Sequence, residues 1–123
     1  MASAEELRAV VERYVHLIAT GTGAEIAALY AEDGSVEDPV GSEPKVGRAA
    51  LAEFYDRAAA MENTTELLRV RVAGNEAAAH FRVASKAGDT TYTTEPIDTF
   101  RFNDAGEIVA LRAYWAPSDM IVS

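Results

Sequence analysis

Val36-Glu37-Asp38-Pro39-Val40-Gly41 reads as the end of a strand. Val36 and Val40 share parity with Asp38, so the carboxylate should point with apolar neighbours, while Glu37 points toward water. Pro39 removes a backbone donor and bends the chain off the sheet. Two readings follow. Asp38 is a carboxylate at the lip of an apolar space, or it caps a turn, as Asp-Pro pairs commonly do.

Toward the N-terminus, Ala31-Glu32-Asp33-Gly34 turns out of a short helix whose buried side is Ile26, Leu29 and Tyr30. Before it lies a longer helix. Ser3 and Glu6 fit a capping box, with a hydroxyl at the cap and a carboxylate three residues on. Leu7, Val10, Val11, Tyr14 and Ile18 then fall on one face to about Thr20, where Gly21-Thr22-Gly23 stops the helix. Tyr14 sits inside this stripe, so its hydroxyl needs a partner, either backbone or another side chain.

Toward the C-terminus, Gly41-Ser42-Glu43-Pro44 is a loop. A third helix from about Gly47 buries Leu51, Phe54, Tyr55 and Ala58. Three helices would thus each carry a phenol, at Tyr14, Tyr30 and Tyr55. The phenols either reach one another or act as independent amphipathic anchors.

After Asn63 the period changes from helical to alternating. Leu68, Val70 and Val72 oppose Arg69 and Arg71. Phe81 and Val83 oppose His80 and Arg82, which makes His80 a surface histidine, and His16 lies off the centre of the first helix's stripe. Two histidines without acids at ligand spacing give no metal signal. A strand from about Thr90 to Phe102 places Pro96, Asp98, Phe100 and Phe102 on one face. If the phenylalanines face the core, so does Asp98, with no cation on its own face. Desolvation then raises its pKa, and a protonated acid donates where a carboxylate cannot. The other readings are a buried Asp satisfied by backbone N–H groups, or a bulge at Pro96. The last strand, Ile108 to Pro117, alternates Val109, Leu111, Ala113 and Trp115 against Ala110, Arg112 and Tyr114. The apolar Met120-Ile121-Val122 tail reads as an interface strand.

These 123 residues suit one domain, 1–123, with a real core. The net charge of -9 disfavours nucleic acid and anionic membrane as partners. No cysteine is present, which excludes disulfides and thiolate chemistry. No apolar run approaches a membrane span, and the acidic N-terminus is unlike a signal peptide, so a cytoplasmic protein is expected. Helices followed by antiparallel strands give an α+β arrangement. A curved antiparallel sheet packed on three N-terminal helices would form a cone with an apolar mouth.

Several segments together resemble the bacterial Δ5-3-ketosteroid isomerases. They are Glu12-Arg13-Tyr14, Leu29-Tyr30-Ala31, Val36 to Gly41, Glu53-Phe54-Tyr55, Pro96-Ile97-Asp98 with Phe100-Arg101-Phe102, and Arg112 to Trp115. The likeness runs nearly end to end and in order. It implies the cone fold shared with nuclear transport factor two, usually as a homodimer. It also implies isomerisation of 3-oxo-Δ5-steroids to the conjugated Δ4 form without a cofactor or metal. Carried over by position, Asp38 resembles the general base, and Tyr14 and Asp98 the two donors to the C3 oxygen. Tyr30 and Tyr55 resemble the network behind Tyr14. Val40, Phe54, Phe81 and Trp115 match apolar positions that hold the steroid. This family is itself the standing example of an acid kept neutral so that it can donate a hydrogen bond.

The same cone hosts other chemistry. A dehydratase would need inward histidines paired with acids, and an epoxide hydrolase an Asp-Arg-Asp relay. The parity of His80 does not favour the first, and Arg101 and Arg112 read as facing away from Asp98. The alternative is another cone-fold enzyme, a dehydratase or cyclase, or a non-catalytic small-molecule-binding module.

Overall fold

The computed structural model describes residues 1–123. Helix α1, Ala4–Thr20, starts at the Ser3/Glu6 capping box and ends at Gly21. Helix α2, Gly23–Ala27, starts at a second capping box made by Thr22 and Glu25. Strands β1 (Tyr30–Glu37) and β2 (Lys45–Val46) precede helix α3, Arg48–Ala58. Six strands follow: β3 (Glu62–Ala73), β4 (Glu76–Ala87), β5 (Thr90–Thr94), β6 (Ile97–Phe102), β7 (Ile108–Tyr114) and β8 (Ile121–Val122). No helix is long and apolar enough to cross a membrane.

The strands form one sheet in the order β2-β1-β7-β6-β4-β5-β8, with β3 on the other edge of β4. This is the expected α+β cone, with one difference. The sheet is mixed, because β1 runs parallel to β7. The chain enters β1 from α2 and reaches β7 only after α3 and the strands between have been built, which leaves the direction of that pairing free.

Strand β4 organises the cone. One edge pairs with β3 along nearly its whole length. Its other edge pairs with β6 through Glu76–His80 and then with β5 through Val83–Ala87. The expected single strand from Thr90 to Phe102 is therefore two, parted at Glu95 and Pro96. Proline cannot donate to a ladder, and the carbonyl of Pro96 instead accepts from the Phe81 N–H at 3.3 Å.

Two register shifts move side chains that strict alternation places elsewhere. In β3, Leu67 faces Phe81 and Arg69 faces His80, so Leu68 is the extra residue. Leu67, not Leu68, packs on the core with Val70 and Val72. Between β6 and β7, Arg101 faces Ala110 while Phe102 faces Ile108. Ile108 is accordingly the buried residue, in place of Val109, with Leu111 and Ala113. On α1, Val10 and Ile18 are only partly buried, while Val15 and Leu17 join Leu7, Val11 and Tyr14 inside.

Tyr30 lies on strand β1, not on a helix, and Ala31 to Gly34 belong to that same strand. Five residues exhaust α2, and the hydroxyl of Tyr30 reaches the interior from the sheet side instead. Ala58, expected inside α3, is exposed at its last turn.

Candidate active site

Asp38 follows directly on the end of β1, and the Asp38–Pro39 peptide is cis. Its carboxylate is half-buried and lines a cavity of about 220 Å³. The indole N–H of Trp115 donates to Asp38 Oδ1 at 2.6 Å. Burial raises the carboxyl's pKa, and the bond from Trp115 opposes that rise by favouring the ionised form. Glu37 points the other way, toward the solvent side, as parity requires, and stays partly exposed there. It accepts from the Gly41 N–H at 2.7 Å and from Arg112 Nε at 3.3 Å.

Asp98 sits on β6 between Ala79 of β4 and Ala113 of β7. Two methyl side chains flanking it leave the carboxyl room to turn into the cavity. The residue is 2% exposed, and its Oδ1 has no hydrogen-bond partner. Burial pushes its pKa well above the ordinary carboxylate range, and the negative charge of Asp38 pushes it further. No cation approaches to reverse this: Arg112 pairs with Glu37, and Arg101 is exposed. In its neutral form, which this shift favours, Asp98 would have an O–H to donate into the same cavity that Asp38 borders.

The three phenols do reach one another. Tyr14 and Tyr55 hydroxyls are 2.9 Å apart, and Tyr30 and Tyr55 hydroxyls 2.5 Å. All three are buried, and burial holds each phenol well above its ordinary pKa, so they stay neutral donors. If Tyr14 aims its proton at a ligand, Tyr55 donates to Tyr14 and Tyr30 to Tyr55. Each O–H is then used once, in one direction. The Tyr14 ring is fixed edge-on by Phe100 at 5.4 Å and Phe81 at 6.5 Å between centroids.

The cavity wall includes Tyr14, Asp38, Phe54, Tyr55, Phe81, Asp98 and Trp115, joined by Ile18, Pro96 and Met120 among others. Of the apolar positions expected to hold a ligand, Phe54, Phe81 and Trp115 line it and Val40 does not. β1 ends at Glu37, so alternation no longer governs Val40, whose N–H donates to the Ala113 carbonyl at 2.8 Å. Sequence reasoning assigned Trp115 only an apolar face and missed its bond to Asp38. The available signal was that indole N–H is a donor with no acceptor function, on the same parity as inward-facing Ala113. It also missed Met120 as a lining residue, because the tail was read as an interface strand. β8 in fact pairs back onto β5, which carries Met120 over the cavity.

His80 is half-exposed and its Nε2 lies 3.2 Å from Glu95, away from the cavity. No group of three His, Asp or Glu side chains is placed to hold a metal ion.

Comparison with known proteins agrees with this architecture. The SnoaL-like domain model matches residues 11–111. The chain is 49% identical over 118 residues to the steroid Delta-isomerase of Nocardioides simplex, covering 96% of each. Among solved structures, the epoxide hydrolase/cyclase-like enzyme SalBIII of salinomycin pyran-ring formation superposes with a TM-score of 0.92 at 23% identity. RV0760c from Mycobacterium tuberculosis superposes with a TM-score of 0.89 at 22% identity, and both alignments cover all of each chain. At such identities these two bear on the fold alone. The chain belongs to the SnoaL-like family, within the superfamily of nuclear transport factor two-like cones, and is a relative of the steroid Δ-isomerases.

Proposed function

We propose that this chain converts 3-oxo-Δ5-steroids to conjugated 3-oxo-Δ4-steroids by moving one proton from C4 to C6. The observation that carries the reading is the buried, unpartnered Asp98 oxygen facing the cavity that Tyr14 and Asp38 also line. The 49% identity to a steroid Delta-isomerase supports the same substrate class.

Ionised Asp38 takes a proton from C4. The C4–H electrons form a new C3–C4 double bond, and the carbonyl electrons move onto the C3 oxygen, giving a dienolate. Tyr14 and neutral Asp98 donate hydrogen bonds to that oxygen as charge develops on it. Against the apolar walls of this cavity these two pre-placed bonds act without having to be reorganised, and one such donor is worth about 3–4 kcal/mol. Asp38, now protonated, returns the proton to C6, and the electrons move back to place the double bond between C4 and C5. The base is regenerated and nothing else is consumed. The half-buried Asp38 and the dry Asp98 divide these roles between them, since the first must be ionised and the second neutral at the same pH. Phe54, Phe81 and Trp115 would hold the rigid skeleton.

The exposed pair Ile97 and Tyr114, facing each other across β6 and β7, supports a homodimer joined through the outer face of the sheet.

The test is optical, because conjugation creates a new ultraviolet absorption. With a Δ5-androstene-3-one substrate the wild type should develop that band. Asp38→Asn should lose about 100- to 10,000-fold in kcat, the range of a removed general base. Asp98→Ala should lower kcat more than it weakens binding of a neutral steroid. A wild type no faster than buffer would remove the enzymatic reading.

A further inference from the structure

The cavity is polar at both ends, and the far end has its own hydrogen-bond logic. Asn63 and Ser85 face each other across β3 and β4, and both line the cavity. Neither takes part in the chemistry above. On β4, the row Ala79, Phe81, Val83, Ser85 leads outward from Asp98, which pairs with Ala79. Three two-residue steps along a strand span roughly 20 Å, and the side chains at each end reach into that span. A four-ring skeleton held by its C3 oxygen between Tyr14 and Asp98 would lie along this row with its C17 end toward Ser85.

The bonding at that end is polarised. Asn63 Nδ2 lies 2.8 Å from the Ala58 carbonyl. Only the amide N–H can face a carbonyl, so the orientation of Asn63 is set and its Oδ1 points at Ser85. The Ser85 hydroxyl must then donate to Oδ1, at 2.6 Å. Its single proton is committed, which leaves only lone pairs for a ligand. Asn63 keeps one uncommitted N–H. Together the pair offers one acceptor and one donor.

We infer that Ser85 and Asn63 form a subsite for a hydroxyl group at the far end of the steroid, on ring D or the first atoms of its side chain. This rests on the isomerase reading for the placement of the C3 oxygen. A hydroxyl donates to Ser85 Oγ and accepts from Asn63 Nδ2. A ketone accepts only, and leaves the Ser85 lone pairs unused. A hydrocarbon end satisfies neither.

The experiment compares three Δ5-3-ketosteroids that differ at C17, bearing a hydroxyl, a ketone or hydrogen. Ser85→Ala should lower the hydroxyl-to-hydrogen ratio of kcat/KM by about 3- to 10-fold, the worth of one ordinary hydrogen bond. The hydroxyl-to-ketone ratio should fall with it. A parallel arm measures Kd of the corresponding Δ4 products by quenching of Trp115, the only tryptophan. This arm needs no turnover. Turnover with all ratios unmoved by Ser85→Ala in both arms would overturn the subsite and leave the isomerase standing. A shifted Kd ratio without any turnover would instead support the subsite and remove the isomerase. A wild type that favours the ketone over the hydroxyl in both arms also overturns the subsite.

Discussion

At the scale of single residues, two aspartates of the same chemistry are separated by what touches them. Asp38 keeps a donor, the Trp115 indole, and Asp98 has none on Oδ1. Burial raises both pKa values, but only Asp38 has a bond that holds its ionised form. The sign of the pH dependence follows. In the proposed isomerisation Asp38 acts only when ionised, so kcat/KM should rise with pH through the Asp38 pKa, above the ordinary aspartate value. Trp115→Phe removes the donor while keeping the ring. The Asp38 pKa must then rise, and the acid limb of the pH–rate profile should move to higher pH. An unmoved limb in a pH-dependent kinetic series would show that the indole contributes packing alone.

At the scale of elements, the cavity depends on how α2 and α3 meet. Gly23 makes that approach possible. A Cβ there would lie 2.1 Å from the Ala52 carbonyl oxygen and 2.6 Å from Asp56 Oδ1, which itself accepts from the Gly23 N–H. Gly23→Ala should therefore cost about 1–3 kcal/mol, as overpacking does, read as a lower urea midpoint. Because α3 carries Phe54 and Tyr55, the same variant should also slow turnover. Alternation and helical spacing were enough to bring Asp98, Phe100 and Phe102 to the interior, and to put Tyr14 on the buried stripe of α1. They failed where the count slips. The extra residue at Leu68 and the shift before Ile108 each move a side chain by one position, and no local composition marks either bulge. They failed too at Tyr30, since a five-residue helix and the start of a strand bury the same residues. Val40 lies past the end of β1, where period-two reasoning has no hold. Hydrogen bonds between distant residues, such as Trp115 to Asp38, were legible only as donors still lacking acceptors.

At the scale of the whole molecule, the outer face of the sheet leaves Ile97 50% and Tyr114 44% exposed, directly opposite one another. Sedimentation should give twice the 13.2 kDa chain mass, and Ile97→Asp should halve it. A wild-type monomer at micromolar concentration would contradict the homodimer. The inner face raises the more consequential question, since the proposed reaction needs one carboxyl neutral and another charged in a single cavity. Infrared difference spectroscopy of wild type against Asp98→Asn near neutral pH measures this directly. The account predicts that the variant loses a protonated-carboxyl C=O band while the carboxylate bands stay. Loss of carboxylate bands instead would mean that Asp98 is ionised, has no proton to donate to the C3 oxygen, and cannot share the dienolate's charge with Tyr14.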